Sequence, residues 1–175
     1  MSALYAEFLP HVKQHGHILD AGCGSARDAM YFKNQGFTVS AFDASPALAK
    51  FASNYLQQPV AVKTFQQLEY INKYDGIWCC ASLLHVPKAE LPQVFLNLQN
   101  ALKPNGVLYV SFKYGTQERE HNGREFTDLN EEGLTALITQ HTELKIIKQW
   151  QTVDQRPERE SEVWLNALIK AVPVL

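Results

Sequence analysis

Apolar positions along this chain come in two kinds of run, and the two kinds alternate. The first kind is short and nearly continuous: Ile18 and Leu19 within His17–Gly22, Val39, Ala41 and Phe42 within Phe37–Asp43, and Ile77-Trp78-Cys79-Cys80 within Asp75–Ser82. Runs this short, without polar alternation, predict strands covered on both faces. Val60–Phe65 and Val107–Phe112 read the same way. The second kind repeats every three or four residues and predicts helices. One runs from about Ser25 to Gln35 and stops at Gly36, a residue suited to a helix C-terminus. The next starts at a capping Ser45 with Pro46 in the first helical position, places Leu48, Ala52, Tyr55 and Leu56 on one face, and ends before Pro59. A third, about Lys88–Lys103, carries Leu91, Val94, Phe95, Leu98 and Leu102, and Pro104-Asn105-Gly106 turns it into the fifth strand. Tyr114–Asp128 is polar and reads as irregular. Asn130, followed by Glu131 and Glu132, starts another helix with Leu134, Leu137 and Ile138 as its apolar face. Two strands close the chain, about Leu144–Val153 and Glu162–Ala171, around the charged loop Asp154–Ser161.

Alternation of this kind predicts an α/β domain, a doubly wound, mostly parallel sheet with helices on both faces. No helical pattern separates the last two strands, so they are expected to pair antiparallel, giving seven strands with an antiparallel C-terminal strand. No repeat, linker or composition shift divides the chain, and a single domain over residues 1–175 is expected.

Composition narrows the function classes. Apolar residues make up 46% and charged residues 19%, with a formal charge of −2, so no bulk electrostatic attraction favours nucleic acid or an anionic membrane. No apolar run approaches the roughly 18 residues of a membrane span. Met1–Pro10 contains Glu7 and no basic segment followed by an apolar one, so it does not read as a signal peptide, and a cytoplasmic location is expected. Cys23, Cys79 and Cys80 are odd in number, and two are adjacent on one strand with side chains to opposite faces. They read as reduced thiols rather than as a disulfide framework or a metal site.

The segment Ile18-Leu19-Asp20-Ala21-Gly22-Cys23-Gly24-Ser25-Ala26-Arg27-Asp28 carries the chemistry. A strand ends, two glycines allow a tight turn close to a ligand, and a helix N-terminus follows. Asp43 ends the second strand, where a carboxylate can accept hydrogen bonds from both ribose hydroxyls of a nucleoside. An NAD-linked oxidoreductase shares this logic, but Arg27 stands where the dinucleotide pattern has its third glycine, and Asp20 would repel a pyrophosphate while welcoming a cationic amino group. The closing pair of strands is also uncommon in dinucleotide-binding domains.

Leu19-Asp20-Ala21-Gly22-Cys23-Gly24, with Asp43 at this spacing, resembles the first motif of the class I S-adenosylmethionine (SAM)-dependent methyltransferases. Tyr74-Asp75-Gly76-Ile77-Trp78 through Leu84-His85-Val86 resembles their fourth-strand motif, and Leu102-Lys103-Pro104-Asn105-Gly106-Val107-Leu108 the turn before their fifth strand. Gly24–Asp28 and Ala81–Pro87 look most like the tellurite-resistance-type small-molecule methyltransferases. The resemblance implies a Rossmann-like sheet, SAM as cofactor and S-adenosylhomocysteine as product. It also implies a small-molecule substrate and a monomer or homodimer. Carried over by position, Asp20 and the backbone of Gly22, Cys23 and Gly24 would hold the methionine end. Asp43 would hold the ribose, with Ala44, Thr64, Phe65 and Gln66 bordering the adenine and Ala81 and Ser82 approaching the methionine and the substrate. Two departures stand out. No acidic residue occupies Thr64 or Gln66 to accept from the adenine amino group, and only Tyr5 and Phe8 are available to cover the cofactor from the N-terminal side. A non-catalytic SAM-binding module is the alternative these departures keep open.

Outside the cofactor residues, His85 lies just past the fourth strand as a base or substrate donor, or else as a residue packing a helix start. Arg27 and Asp28 read as a local ion pair or as ligand contacts. Arg119, Arg124, Arg156 and Arg159, in two loops, suggest an anionic substrate held by paired guanidinium bonds, with Arg124 and Arg156 the preferred pair. Glu118, Glu120, Glu158 and Glu160 among them give the rival reading of a solvated surface. Trp150 and Trp164 are expected either in the core or as substrate walls.

Overall fold

The computed structural model describes residues 1–159 and 161–173. In chain order the elements are α1 (Ser2–Phe8), β1 (His17–Ala21), α2 (Arg27–Asn34), β2 (Thr38–Asp43), α3 (Pro46–Leu56), β3 (Ala61–Val62), β4 (Tyr74–Cys79), α4 (Leu91–Ala101), β5 (Leu102–Lys113), β6 (Glu118–His121), β7 (Arg124–Thr127), α5 (Glu131–Thr139), β8 (Leu144–Val153) and β9 (Val163–Ala171). Seven strands form one sheet in the order β3-β2-β1-β4-β5-β9-β8, parallel except for β9, which runs antiparallel between β5 and β8. The expected doubly wound sheet with its antiparallel strand is therefore present. β6 and β7 form a separate two-stranded ribbon.

Two apolar layers sandwich the sheet. Leu19, Ile77, Cys79, Leu108 and Val110 face the layer of α4 and α5, where Val94, Phe95, Leu98, Leu134 and Ile138 are buried. Ile18, Trp78, Val107 and Tyr109 face the opposite layer with α1 and α2. Period-two alternation thus explains why β4 has no exposed position: each successive side chain enters a different core. Cys79 and Cys80 follow the same rule and pack against opposite layers.

Several elements differ from the sequence expectation, each for a local reason. The third strand is only Ala61–Val62, because Thr64 opens a capping box that turns Phe65–Gln67 into a 3-10 helix. α3 begins as expected, with Ser45 Oγ accepting from the Leu48 N–H at 3.2 Å, but it buries Ala49, Ala52 and Leu56 and leaves Leu48 and Tyr55 exposed. α1 was not expected. It is seven residues long with no side-chain cap, and is held by packing and two side-chain contacts: Tyr5 stacks on Tyr31 with ring centroids 4.2 Å apart, Phe8 meets Trp78 at 5.0 Å, the Tyr5 hydroxyl donates to Asp28, and Glu7 pairs with Lys148 at 2.7 Å. Tyr5 and Phe8 therefore lie against the sheet and do not cover a cofactor. Among the described residues no helix is long and apolar enough to cross a membrane.

The chain winds outward from β1 through β2 to β3, then crosses back to β4 and β5. This reversal opens a crevice beyond the C-terminal ends of β1 and β4, the place where open α/β sheets bind ligands.

Candidate active site

At that crevice the backbone, more than any side chain, sets the shape. Gly22 (φ +73°) leaves β1, and its N–H and that of Cys23 donate to the Phe42 carbonyl at 3.0 and 2.9 Å. A Cβ on Gly22 would stand 2.6 Å from Ser82 Cβ, so only glycine lets the turn pass the end of β4. Gly24 (φ +55°) faces open space. Ala26 then enters α2 at φ +68°, a left-handed conformation that costs a non-glycine residue about 1–2 kcal/mol. No side chain at that cap position holds the helix start. Asp20 does so from β1 instead, with Oδ2 accepting from the Ala29 N–H at 3.1 Å. Burial, and secondarily the charge of Asp28, pushes the Asp20 carboxyl well above its usual range.

Asp43 is fixed from two sides. Oδ2 accepts from the Gly24 N–H at 2.8 Å and Oδ1 from the Ser45 N–H at 2.9 Å. Each carboxylate oxygen has a further lone pair, so the group can still accept from two neighbouring hydroxyls. Beside it, Phe42 and Phe65 meet edge to face at 5.3 Å, and Leu48 completes an apolar wall with Ala44. Gln66 Nε2 donates to Glu90 Oε1 at 3.4 Å, which leaves the amide oxygen as an acceptor where the acidic residue is missing.

The other side of the crevice is built past β4. Ala81 (φ +52°) breaks the strand and its N–H donates to Ser111 Oγ at 2.8 Å, while Ser82 Oγ donates to the Ala21 carbonyl at 2.9 Å. His85 sits in the following 3-10 turn, under the β6–β7 ribbon. Its Nδ1 is 3.0 Å from the Glu125 carbonyl and its Nε2 is 2.9 Å from Arg124 Nη2. Thr127 Oγ1 donates to the Val86 carbonyl at 2.7 Å and the Lys88 N–H to Glu118 Oε2 at 2.9 Å, tying the ribbon down.

Together these groups enclose a cavity of about 560 Å³, in the range of small-molecule sites. Of the residues singled out in the sequence, Gly22, Gly24, Asp43, Ala44, Thr64, Phe65, Gln66, Ala81, Ser82, His85 and Arg124 line it. Asp20 and Cys23 lie behind the turn. Arg156, Trp150 and Trp164 are not brought to it. Arg156 forks onto Asp154, with Nη2 to Oδ2 at 2.6 Å, and Trp164 Nε1 donates to the same carboxylate at 3.2 Å. Trp150 packs toward Tyr109, ring centroids 6.3 Å apart. The expected Arg124–Arg156 pair is therefore not assembled. Arg119 is also engaged, 3.1 Å from Asp128. Asp28 receives both the Tyr5 hydroxyl and Trp78 Nε1, and pairs with Arg27 at 3.5 Å. Lys63, Ser45, Val86 and Glu125 line the cavity without having been singled out. Glu125 could have been found from the Asn122-Gly123 hairpin turn, which puts its neighbours in strands.

The donor set fits a nucleoside better than a dinucleotide. One carboxylate has lone pairs that a ribose could use, the apolar walls could take a base, and no third glycine opens the helix start to a pyrophosphate. The sequence model of the methyltransferase domain matches residues 18–106, which include every element of this half of the site. The chain belongs to the methyltransferase domain family. Its fold is that of the class I SAM-dependent methyltransferases, and SAM is the cofactor such domains use. A SAM-dependent methyltransferase from Mesorhizobium loti superposes on this chain with a TM-score of 0.80 at 14% identity, covering 97% of this chain and 96% of that one. The 1,6-didemethyltoxoflavin-N1-methyltransferase of Burkholderia thailandensis, solved with bound 1,6-didemethyltoxoflavin and S-adenosylhomocysteine, gives 0.78 at 22%, covering 98% and 76%. In sequence, the chain is 35% identical over 99 residues to the ubiquinone biosynthesis O-methyltransferase of Rickettsia akari. That match spans 54% of this chain and 39% of the relative, so the chain corresponds to well under half of that protein's length.

Proposed function

We propose that residues 1–175 form a single domain that transfers a methyl group from SAM to a small, anionic molecule. Acceptance of the methyl by oxygen is the form of this reading that the named Rickettsia relatives favour. The motifs resembling tellurite-resistance-type enzymes favour a small acceptor over a polymer, as does the 560 Å³ cavity. The observation that carries the reading is Asp43, held by the Gly24 and Ser45 N–H groups with lone pairs left for a ribose.

When bound, SAM supplies a methyl group already activated by its sulfonium charge. Much of the work left to this chain is positioning, which can supply roughly 7–11 kcal/mol in the favourable limit. Asp43 accepts from the ribose hydroxyls. Phe65, Leu48 and Ala44 take the adenine between apolar surfaces, and the Gln66 carbonyl oxygen accepts from its amino group. The turn at Gly22 and Gly24 lets the methionine end approach the backbone, and Asp20 lies behind it as a buried carboxyl group. Arg124 attracts an anionic acceptor to the other end of the cavity.

Isothermal calorimetry with SAM, S-adenosylhomocysteine and NADH tests the reading. Both sulfur nucleosides should bind and NADH should not. Asp43→Ala should weaken SAM binding between several-fold and a hundredfold, on the order of 1–3 kcal/mol for charge-assisted bonds. An unchanged affinity would remove Asp43 from the ribose. Binding without turnover on any acceptor would favour the binding module.

A further inference from the structure

One polar contact in the cavity joins two groups that are usually both donors. Arg124 Nη2 stands 2.9 Å from His85 Nε2. A guanidinium has no acceptor, so Nε2 must present a lone pair and the ring proton must sit on Nδ1. Nδ1 in turn lies 3.0 Å from the Glu125 carbonyl, an oxygen that can only accept. Two separate contacts therefore select the same state: a neutral imidazole with Nε2 bare. The ring is held in its plane by Phe126, edge to face at 4.9 Å. Burial lowers the His85 pKa first. The Glu125 carbonyl opposes that, and the cations Arg124 from the ribbon and Lys113 from β5 add to it.

Arg124 is unusual among the arginines of this region. Arg119 is spent on Asp128, and Arg156 on Asp154. The partner of Arg124 among the described residues is the neutral imidazole, a weak hold for a full charge at the mouth of a cavity.

We propose that Arg124 leaves the imidazole to bind the anionic group of an incoming phenolic acid, and that His85 Nε2 takes the proton from the phenol hydroxyl that is methylated. This rests on the SAM reading above. The bond from the methyl carbon to sulfur breaks as its bond to the phenol oxygen forms. The sulfur keeps the bonding pair, S-adenosylhomocysteine leaves, and the proton on Nε2 passes to solvent. Charge explains why the two roles belong to one substrate. A proton on Nε2 beside a free guanidinium would set two cations 2.9 Å apart, and an anion on Arg124 removes that repulsion. Acidity explains the phenol. A hydroxyl with a pKa near 10 is within reach of an imidazole base, whereas one near that of water, 15.7, is not.

The test uses the whole chain with SAM and protocatechuate (a catechol that carries a carboxylate), and follows S-adenosylhomocysteine and the monomethyl ether by mass spectrometry. Catechol serves as the probe without the carboxylate. The wild type should methylate protocatechuate with a lower KM than catechol. His85→Gln keeps an acceptor for Arg124 and a donor for Glu125 but cannot take a proton. It should bind SAM within twofold of wild type by calorimetry, lose a hundredfold or more in kcat at pH 7, and recover as rising pH ionises the phenol in solution. Arg124→Gln should raise the KM for protocatechuate tenfold or more and that for catechol by a much smaller factor. The proposal is overturned if the His85 variant turns over at the wild-type rate at pH 7. It is equally overturned if the two KM values shift together in the Arg124 variant, or if SAM binds but neither phenol is methylated. Failure of the wild type to bind SAM would instead overturn the cofactor reading.

Discussion

Two aspartates at the ends of neighbouring strands show how position divides the same chemistry. Asp43 is at the cavity and keeps lone pairs for a ligand, while Asp20 is 3% exposed behind the glycine turn and spends an oxygen on the start of α2. Burying a carboxylate with one backbone donor is costly, which is why its pKa is raised. A group raised in the folded state holds its proton more tightly there than in the unfolded chain. Its contribution to stability is present at low pH and is lost as pH rises from the ordinary carboxylate value through the folded one. Asp20→Asn retains an acceptor for the Ala29 N–H and removes the charge. The variant should therefore melt a few degrees higher than wild type at pH 8 by calorimetric scanning, with the gap closing toward pH 4. The same substitution should weaken SAM binding, because the cationic amino end loses a carboxylate behind the turn, a trade of stability against function. A variant less stable at pH 8 would mean that the ionised carboxylate is stabilising, contrary to this account.

At the scale of elements, the legible parts were those whose pattern answers to burial alone. β4, buried on both faces, and α4, with apolar residues at helical spacing, could be read from the sequence because the core dictates them. So could the glycine turn after β1, where positive φ and the close approach of Ser82 demand glycine at Gly22. The β6–β7 ribbon was not read, although it carries Arg124 over His85. Its residues Glu118-Arg119-Glu120-His121 are exposed on both sides and give no apolar alternation. The signal was the turn itself: Asn122 (φ +52°) and Gly123 (φ +76°) supply the two left-handed positions of a tight hairpin. The Arg156 expectation failed for another reason, since charge counted along a loop does not reveal that Asp154 takes the guanidinium. α3 offers a test of the same backbone logic. It ends at Gln57 in the left-handed region (φ +55°), exposed, where glycine is the usual residue. Gln57→Gly should stabilise the fold by roughly 0.5–1 kcal/mol, the left-handed cost less the glycine entropy. For a chain of this size that raises Tm by about 2–4 °C per kcal/mol. A lower Tm would show that the Gln57 Nε2 bond to the Asn54 carbonyl outweighs the backbone strain.

For the molecule as a whole, the sheet places histidines where water reaches them poorly, and this sets how the fold responds to acid. His17 beside Tyr74 at the base of the sheet, His85 under the ribbon and His141 after α5 all have lowered pKa values, with burial the largest cause in each. His17 also faces the cations Lys73 and Lys103, opposed by Asp75. A histidine lowered in the folded state stays neutral there while the unfolded chain takes up a proton near pH 6.5. The unfolded state then binds more protons, and stability must rise with pH through that window and level off above it. Each such site steepens the dependence by up to about 1.4 kcal/mol per pH unit. Asp20 works in the opposite direction, since its proton is held by the folded state, so the net slope reports which burial dominates. With three histidines against one carboxyl, Tm should fall from pH 7 to pH 5.5. His141→Gln, at a ring whose Nε2 is buried without a partner among the described residues, should flatten that fall and leave SAM affinity untouched, because His141 does not line the cavity beyond β1 and β4. Equal slopes in the variant and the wild type would place the acid response elsewhere and leave the neutral state of His85 to be argued from its hydrogen bonds alone.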